Sequence, residues 1–345
     1  SWLSVWLNHL GAKVVGVSKD TISNPSNYKA SSIESLVDDR RLDITNTSQV
    51  SDLIQEIQPD FVFHLAAQAL VRTSYESPSE TMNVNAIGSA NVLEALIKSK
   101  KKVVVIMITS DKAYDNVEWV WGYRETDALG GIDPYSASKG MAELAIRSYV
   151  KSFFDLKNSP VRIAISRAGN VIGGGDWAND RIVPDCIKAW SSDKSVDIRS
   201  PFATRPWQHV LEPLSGYLTL AEKLAKDDKY HSEAYNFGPS ADQNFPVKDL
   251  INEMSKYWDK VQWKDTSKKE SNIHEAGLLK LNCDKANSEL NWRSTMTFEE
   301  TIRMTVNWYQ TFYENINSSM YETSILQIKE YNQLAKERDI DWAVE

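Results

Sequence analysis

The stretch KKVVVIMITSDK, residues 101–112, decides the fold. Two lysines lead into an unbroken apolar run, Val103–Ile108, which is far too short to span a membrane and suits a strand buried on both faces. The run ends abruptly in Thr109, Ser110, Asp111 and Lys112. In open α/β sheets, ligands bind at the carboxyl ends of strands, so these polar residues stand where chemistry is expected. Upstream, DFVFHLAAQ (60–68) reads as a second buried strand running into a loop, and Val50–Ile57 has helical spacing that stops at Pro59. Val14–Val17 reads as a further short strand. Ser77-Pro78-Ser79-Glu80 predicts a capped helix start with a capping box, the helix reaching about Lys98. Downstream, residues 110–134 lack regular periodicity, and long loops inside compact domains tend to be functional. Asp133 and Pro134 then cap and start a helix to about Ser152, and Val161–Ile172 forms the next strand.

Apolar strands separated by amphipathic helices predict an α/β fold, a doubly wound parallel sheet covered on both faces. Residues 1–172 make the sheet domain. From 173 to 345 the elements shorten and aromatics increase, which predicts a smaller lobe interleaved with the first part, ending in a polar helical tail after Glu314. The 345 residues are 42% hydrophobic, enough for a substantial core, and the net charge of −8 without clustered basic and aromatic residues speaks against nucleic acid. Two cysteines, Cys186 and Cys283, form no CxxC motif and fit the core of a protein in a reducing compartment, the cytoplasm. No apolar run suits a membrane span, and His, Cys and acidic residues show no metal-ligand spacing.

The opening, SWLSVWLNHLGAKVVGVSKD (1–20), reads as the back of a helix, a glycine and a strand. In a dinucleotide-binding unit that order follows a first strand and a phosphate-binding glycine turn, and a carboxylate about 20 residues past the glycines grips the ribose. Asp20 stands at that place, and the first strand and glycine turn are expected upstream of Ser1.

Tyr135 and Lys139 are spaced i, i+4 and share one helix face. A lysine there would lower the phenol's pKa, and a tyrosinate can take a proton from an alcohol while hydride leaves for a nicotinamide. This is the only Tyr-x-x-x-Lys in the chain. Leu65, Ala66, Ala67 and Gln68 end a buried strand, where small residues admit a flat cofactor or simply pack closely against a helix. Asp43-Ile44 could hold an adenine edge or begin a helix turn. Thr109 belongs with the cofactor set. Gly173-Gly174-Gly175 lacks the Gly-Lys-Ser/Thr ending of a phosphate loop and is expected to be a flexible turn beside the substrate. Arg199, Arg205 and His274 are candidate ligands for a diphosphate.

The segments TSDKAYDN (109–116), EWVWGYRETDALGGIDPYSASKG (118–140), RAGNVIGGGDWANDRIVPD (167–185) and RPWQHVLEPLSGY (205–217) resemble the CDP-glucose 4,6-dehydratases of the extended short-chain dehydrogenase/reductase superfamily. The resemblance runs from Ser1 to about Tyr331. It implies a Rossmann-type NAD domain and a C-terminal lobe for a nucleotide sugar, CDP-glucose. It also implies roles: Tyr135 as base for the C4 hydroxyl, Lys139 on the nicotinamide ribose, Ser110 on the C4 oxygen, and Asp111 and Lys112 for elimination. Asn85, Asn170, Arg181, Arg205 and His274 match substrate-side positions, Asn85 as a helix residue supporting the site. The implied reaction oxidises C4, eliminates water across C5 and C6, and returns the hydride to C6. Where the dTDP-glucose branch has Glu, this chain has Lys112, which would serve as a neutral base or as a cation beside an enolate. Asp111 as acid toward the C6 oxygen and Lys112 at C5 is the favoured assignment, and the sequence alone leaves the two roles interchangeable. A homodimer through a four-helix contact, and deoxysugar supply for surface polysaccharide, are also implied. A nucleotide-sugar 4-epimerase needs no elimination groups, and a silent nucleotide-binding protein needs neither Tyr135 nor Lys139.

Overall fold

In the computed structural model, which describes residues 1–21, 23–267, 277–315 and 318–344, the apolar runs become parallel strands, joined by one that is wholly charged. These are β1 (Val15–Ser18), the charged β2 (Asp38–Arg41), β3 (Phe61–His64), β4 (Val103–Ile108) and β5 (Val161–Ala168). Short β6 (Val171–Ile172) and β7 (Gln208–His209) pair with each other, and β8 (Ala234–Phe237) joins the main sheet from far down the chain. The main sheet has the order β8-β5-β4-β3, all parallel, and β1 pairs with β2.

The continuous apolar character of β4 follows from its position. Successive side chains point to opposite faces of a sheet. Val104 and Ile106 enter one core with Ala164, Leu214 and Leu220, while Val103, Val105 and Met107 enter a second core with Ile146 and Val150.

The helices that frame the site and the two cores include α1 (Trp2–His9), α2 (Thr47–Ile57), α3 (Pro78–Met82), α4 (Gly88–Leu96), α5 (Pro134–Phe153), α6 (Ile182–Trp190), α7 (Leu211–Lys226), α8 (Phe298–Glu314) and α9 (Met320–Glu337). A π-turn, Asn83–Ile87, joins α3 to α4. The expected capping box at Ser77 does not form. Ser77 also ends the preceding turn, its N–H donating to the Thr73 carbonyl, and only its own carbonyl, accepting from Thr81 N, closes the start of α3.

The triple glycine is not a flexible turn. A Cβ at Gly174 would lie 2.1 Å from the Trp308 ring, and the Gly174 carbonyl accepts from Trp2 Nε1 at 2.8 Å. Gly175 has φ +85° and lies against Asn27. Glycine is required here by close packing and by the left-handed backbone, not by mobility. The tail is helical as expected, and α9 buries Ile325, Ile328 and Tyr331. Buried Glu212, in the first turn of α7, accepts from Thr295 N, Met296 N and the Tyr331 hydroxyl, tying the tail to the body. Both cysteines are unpaired, Cys186 buried and Cys283 partly so. Among the described residues no helix is long and apolar enough to cross a membrane, and no cluster of His, Cys, Asp or Glu could hold a metal ion.

Candidate active site

Asp133 starts α5 by accepting from Ser136 N at 2.9 Å, with Pro134 in the first turn. That start sets Tyr135, Lys139 and Glu143 in one row on the buried face. Tyr135 is 9% and Lys139 6% exposed. The Lys139 ammonium lies 5.8 Å from the Tyr135 ring centroid.

Burial pushes the Tyr135 phenol up to about 12, and the nearby Asp111 charge adds to this, while a hydrogen bond with Ser110 and the Arg181 charge oppose it. The lowering expected from Lys139 does not appear: burial dominates, and the groups that oppose it are Ser110 and Arg181. Burial also pulls Lys139 down to about 8, with Glu143 resisting.

The end of β4 closes against this row. The Thr109 hydroxyl donates to Glu143 Oε1 at 2.6 Å, and Thr109 N donates to the Ser166 carbonyl at 2.8 Å. Ser110 Oγ donates to Asp111 Oδ1 at 3.0 Å and accepts from Lys112 N at 3.2 Å. Asp111 is buried, which raises its pKa, while the Lys112 charge, the Ser110 hydrogen bond and the Arg205 charge pull the other way. Asn170 Nδ2 lies 3.5 Å from Asp111 Oδ2. A narrow cleft beside the carboxylate is lined by Gly169, Gln208, Pro239, Lys280 and Leu281.

A buried network that the sequence reading missed stands behind the row. Arg167 grips Glu143 with Nε at 2.7 Å and Nη2 at 2.8 Å, both side chains fully buried. Arg167 Nη1 donates to the Tyr114 hydroxyl at 2.6 Å, and that hydroxyl donates to Asn236 Oδ1 at 2.8 Å. The network joins α5, β5, β8 and the segment that carries Asp111 and Lys112. The available signal was the position of Glu143, one further helical turn along the Tyr135 and Lys139 face.

The structure thus brings Ser110, Asp111, Tyr135 and Lys139 together, with Arg181 and Arg205 as charged neighbours. Lys112 follows Asp111 in a short 3-10 turn and is partly exposed. Arg181 pairs with Asp176 at 3.2 Å, and Arg205 Nη1 donates to the Thr204 carbonyl at 2.7 Å. Arg199 is exposed just beyond the strand Val196–Ile198. His274 lies outside the described residues. Asn85 does not present its amide to a substrate. Its Oδ1 accepts from Gln68 N at 2.8 Å, and its Nδ2 donates to the Gln68 carbonyl at 3.1 Å and to Ser138 Oγ at 2.8 Å. It is a brace inside the π-turn, its donors and acceptor already engaged.

Asp20 lies just past β1, exposed. Asp43 accepts from Thr45 N at 2.9 Å and pairs with Lys19 at 2.9 Å, and the bond from Thr45 leads in pulling it down to about 2. The Ile44 side chain packs against Gly88, where a Cβ would lie 2.6 Å from Cδ1. Leu65 is 45% exposed at the carboxyl end of β3, and Ala66, Ala67 and Gln68 follow it partly buried. Among the described residues no carboxylate or carbonyl hydrogen-bonds the Lys139 ammonium. A largely buried lysine whose ammonium no described carboxylate or carbonyl hydrogen-bonds, beside small residues and an exposed apolar side chain at the sheet's carboxyl edge, fits a dinucleotide bearing ribose hydroxyls.

The fold recurs in solved structures. It resembles UDP-glucuronic acid 4-epimerase from Bacillus cereus in complex with UDP-glucuronic acid and NAD, at TM-score 0.76 and 23% identity over 90% of this chain and 95% of that one. It also resembles DesIV, the dTDP-glucose 4,6-dehydratase of Streptomyces venezuelae with NAD and TYD bound, at TM-score 0.73 and 20% identity over 91% and 94%. In sequence the chain is 43% identical to CDP-glucose 4,6-dehydratase of Salmonella typhimurium, over 90% of this chain and 88% of that protein. It is 25% identical to dTDP-glucose 4,6-dehydratase of Escherichia coli, over 80% of each. The family described as GDP-mannose 4,6 dehydratase matches residues 1–305, and with the tyrosine, lysine, serine and aspartate gathered at one sheet edge, the chain belongs to that family.

Proposed function

We propose that the protein is an NAD-dependent nucleotide-sugar 4,6-dehydratase that converts CDP-glucose to CDP-4-keto-6-deoxyglucose. The supporting observation is the buried meeting of Tyr135 and Ser110 with Asp111 at the carboxyl end of β4. NAD, held by Lys139 and the residues at the carboxyl ends of β3 and β4, would supply the hydride acceptor for C4 and the hydride donor for C6. Tyr135 takes the proton of the C4 hydroxyl, and Ser110 holds the same oxygen through the hydrogen bond it shares with the phenol. Lys139 holds the nicotinamide ribose, and its charge offsets part of the cost of a buried phenolate. The ketone acidifies the C5 proton. Asp111, kept by burial above the usual carboxylate range, carries a proton to the leaving C6 oxygen, and Lys112 acts at C5.

Leu65, Ala66, Ala67, Gln68 and Thr109 would line the nicotinamide side, with Asp20, Asp43 and Ile44 toward the adenosine. Asn170, Arg181 and Arg205 would face the nucleotide sugar, with Arg199 and His274 at its diphosphate. Residues 1–172 serve as the cofactor domain and 173–345 mainly as the substrate lobe. The exposed apolar residues Ile87, Met141 and Leu144, in the π-turn and on α5, support a homodimer through these helices. A cytoplasmic location and a role in deoxysugar supply for surface polysaccharide complete the reading.

The test is incubation of the purified protein with NAD and, separately, CDP-glucose, dTDP-glucose, UDP-glucose and GDP-mannose, with products identified by NMR. A 4-keto-6-deoxy product from CDP-glucose alone is expected. A C4 epimer would overturn the dehydratase assignment.

A further inference from the structure

Asp111 rests on a glycine. A Cβ at Gly169 would lie 1.9 Å from Asp111 Oδ2 and 2.1 Å from its Cγ, so the carboxylate lies directly against that backbone. Ser110 fixes the other oxygen. Asn170 Nδ2 lies 3.5 Å from Oδ2, a weak contact, and the charges of Lys112 and Arg205 act on the same carboxylate. With so close an approach to Gly169, the location of Oδ2 depends on where the turn at residues 169–170 sits.

One side chain holds that turn. Gln208, 1% exposed, donates from Nε2 to the Gly169 carbonyl at 2.9 Å and to the Phe237 carbonyl at 3.1 Å. Its backbone N donates to the Asn170 carbonyl at 3.3 Å. Phe237 ends β8 and pairs in register with Ala168, the last residue of β5. A single carboxamide thus ties together two neighbouring strand ends beneath the carboxylate, and it lines the same cleft as Asp111. An apolar residue of equal size would fill the space but leave the buried Phe237 carbonyl and the partly buried Gly169 carbonyl without that donor.

We propose that Gln208 is a positioning residue for Asp111, holding the 169–170 turn against which the carboxylate is seated. The proposal rests on the reading of Asp111 as an elimination group. Gln208 touches no reacting atom and acts through Gly169. Displacement of a catalytic group by about 1 Å can cost on the order of 100-fold in rate, so loss of the tie is read in kcat.

The experiment measures dehydration kinetics of Gln208→Met, Gln208→Asn and Gly169→Ala, each alone and combined with Asp111→Asn. Thermal unfolding and NAD binding check that each variant folds. Gln208→Asn keeps a carboxamide that is one methylene too short to reach both carbonyls, so it carries the test, with the same expected loss, if Gln208→Met does not fold. Gly169→Ala leaves the Gln208 carboxamide in place and tests the seat of the carboxylate directly. Each single variant is expected to lose roughly 10- to 100-fold in kcat, with KM little changed, and to lose nothing more in the Asp111→Asn background. Losses that multiply with that of Asp111→Asn would overturn the proposal, as would a change in KM alone or an unchanged kcat. If Asp111→Asn itself leaves kcat intact, the elimination role of Asp111 fails, and the positioning role of Gln208 falls with it.

Discussion

Glu143 illustrates how a residue remote from the substrate sets the chemistry. It is the anion that resists the fall of the Lys139 pKa, while burial, the Tyr135 ring and buried neutral His64 surround the same ammonium. A lysine pulled down to about 8 loses its charge at mildly alkaline pH. The kcat/KM of the dehydration is therefore expected to fall above that pH, and Glu143→Gln should move this alkaline limb lower, because it removes the charge that holds the proton. A pH–rate profile of both proteins checks it. The same substitution leaves Arg167 buried without its anion, a change that typically costs about 3–5 kcal/mol, so thermal unfolding should show a large loss as well. Tyr135→Phe should lower kcat by roughly 100- to 10,000-fold with the fold intact, measured as product formation beside an unchanged circular dichroism spectrum.

Elements explain which parts could be read in advance. The strand at 103–108 and the α5 start at Asp133-Pro134 were legible because local rules and tertiary demands agree there: a run buried on both faces, and a cap with a proline behind it. Asp133→Ala should cost about 1 kcal/mol, measured by urea unfolding, because Ser136 N loses its acceptor. Tyr135 and Lys139 were legible because helical spacing alone puts them on one face. The partners that bind across the fold were not. Arg167 and Glu143 are 24 residues apart, and Gln208 and Gly169 are 39 apart, and only strand order brings them together. The π-turn carries no periodic signal, and it turns Asn85 from a substrate candidate into a clasp on Gln68 and Ser138. Asn85→Ala should weaken NAD binding by about 10-fold, with a smaller effect on kcat; calorimetric titration gives the first and steady-state kinetics the second. The triple glycine misled because composition suggests mobility, and only the contact with Trp308 shows that the turn is packed.

At the scale of the whole molecule, Glu212 couples the tail to the body and makes stability depend on pH. Burial pushes its carboxyl up to about 7, against hydrogen bonds from Met296, Thr295 and Tyr331. Between its ordinary range and that value the folded protein holds a proton that the unfolded chain has released. Stability therefore falls as pH rises through this window, by an amount on the order of 3 kcal/mol, and this contribution is flat above it. Glu212→Gln should erase the slope, so its deficit against the parent protein is largest near about pH 5 and smallest near about pH 8 in urea unfolding.

The return of β8 to the sheet has a consequence for how such an enzyme changes over evolutionary time. Phe237 and Ala168 are register partners, although one belongs to the part of the chain after residue 173 and the other to the part before it. The two parts are stitched through a shared strand, so neither could be exchanged whole between relatives without unravelling the other. New sugar or base preferences must then arise by single replacements and loop changes around a fixed frame, which leaves a lineage's history written in scattered positions rather than in borrowed modules.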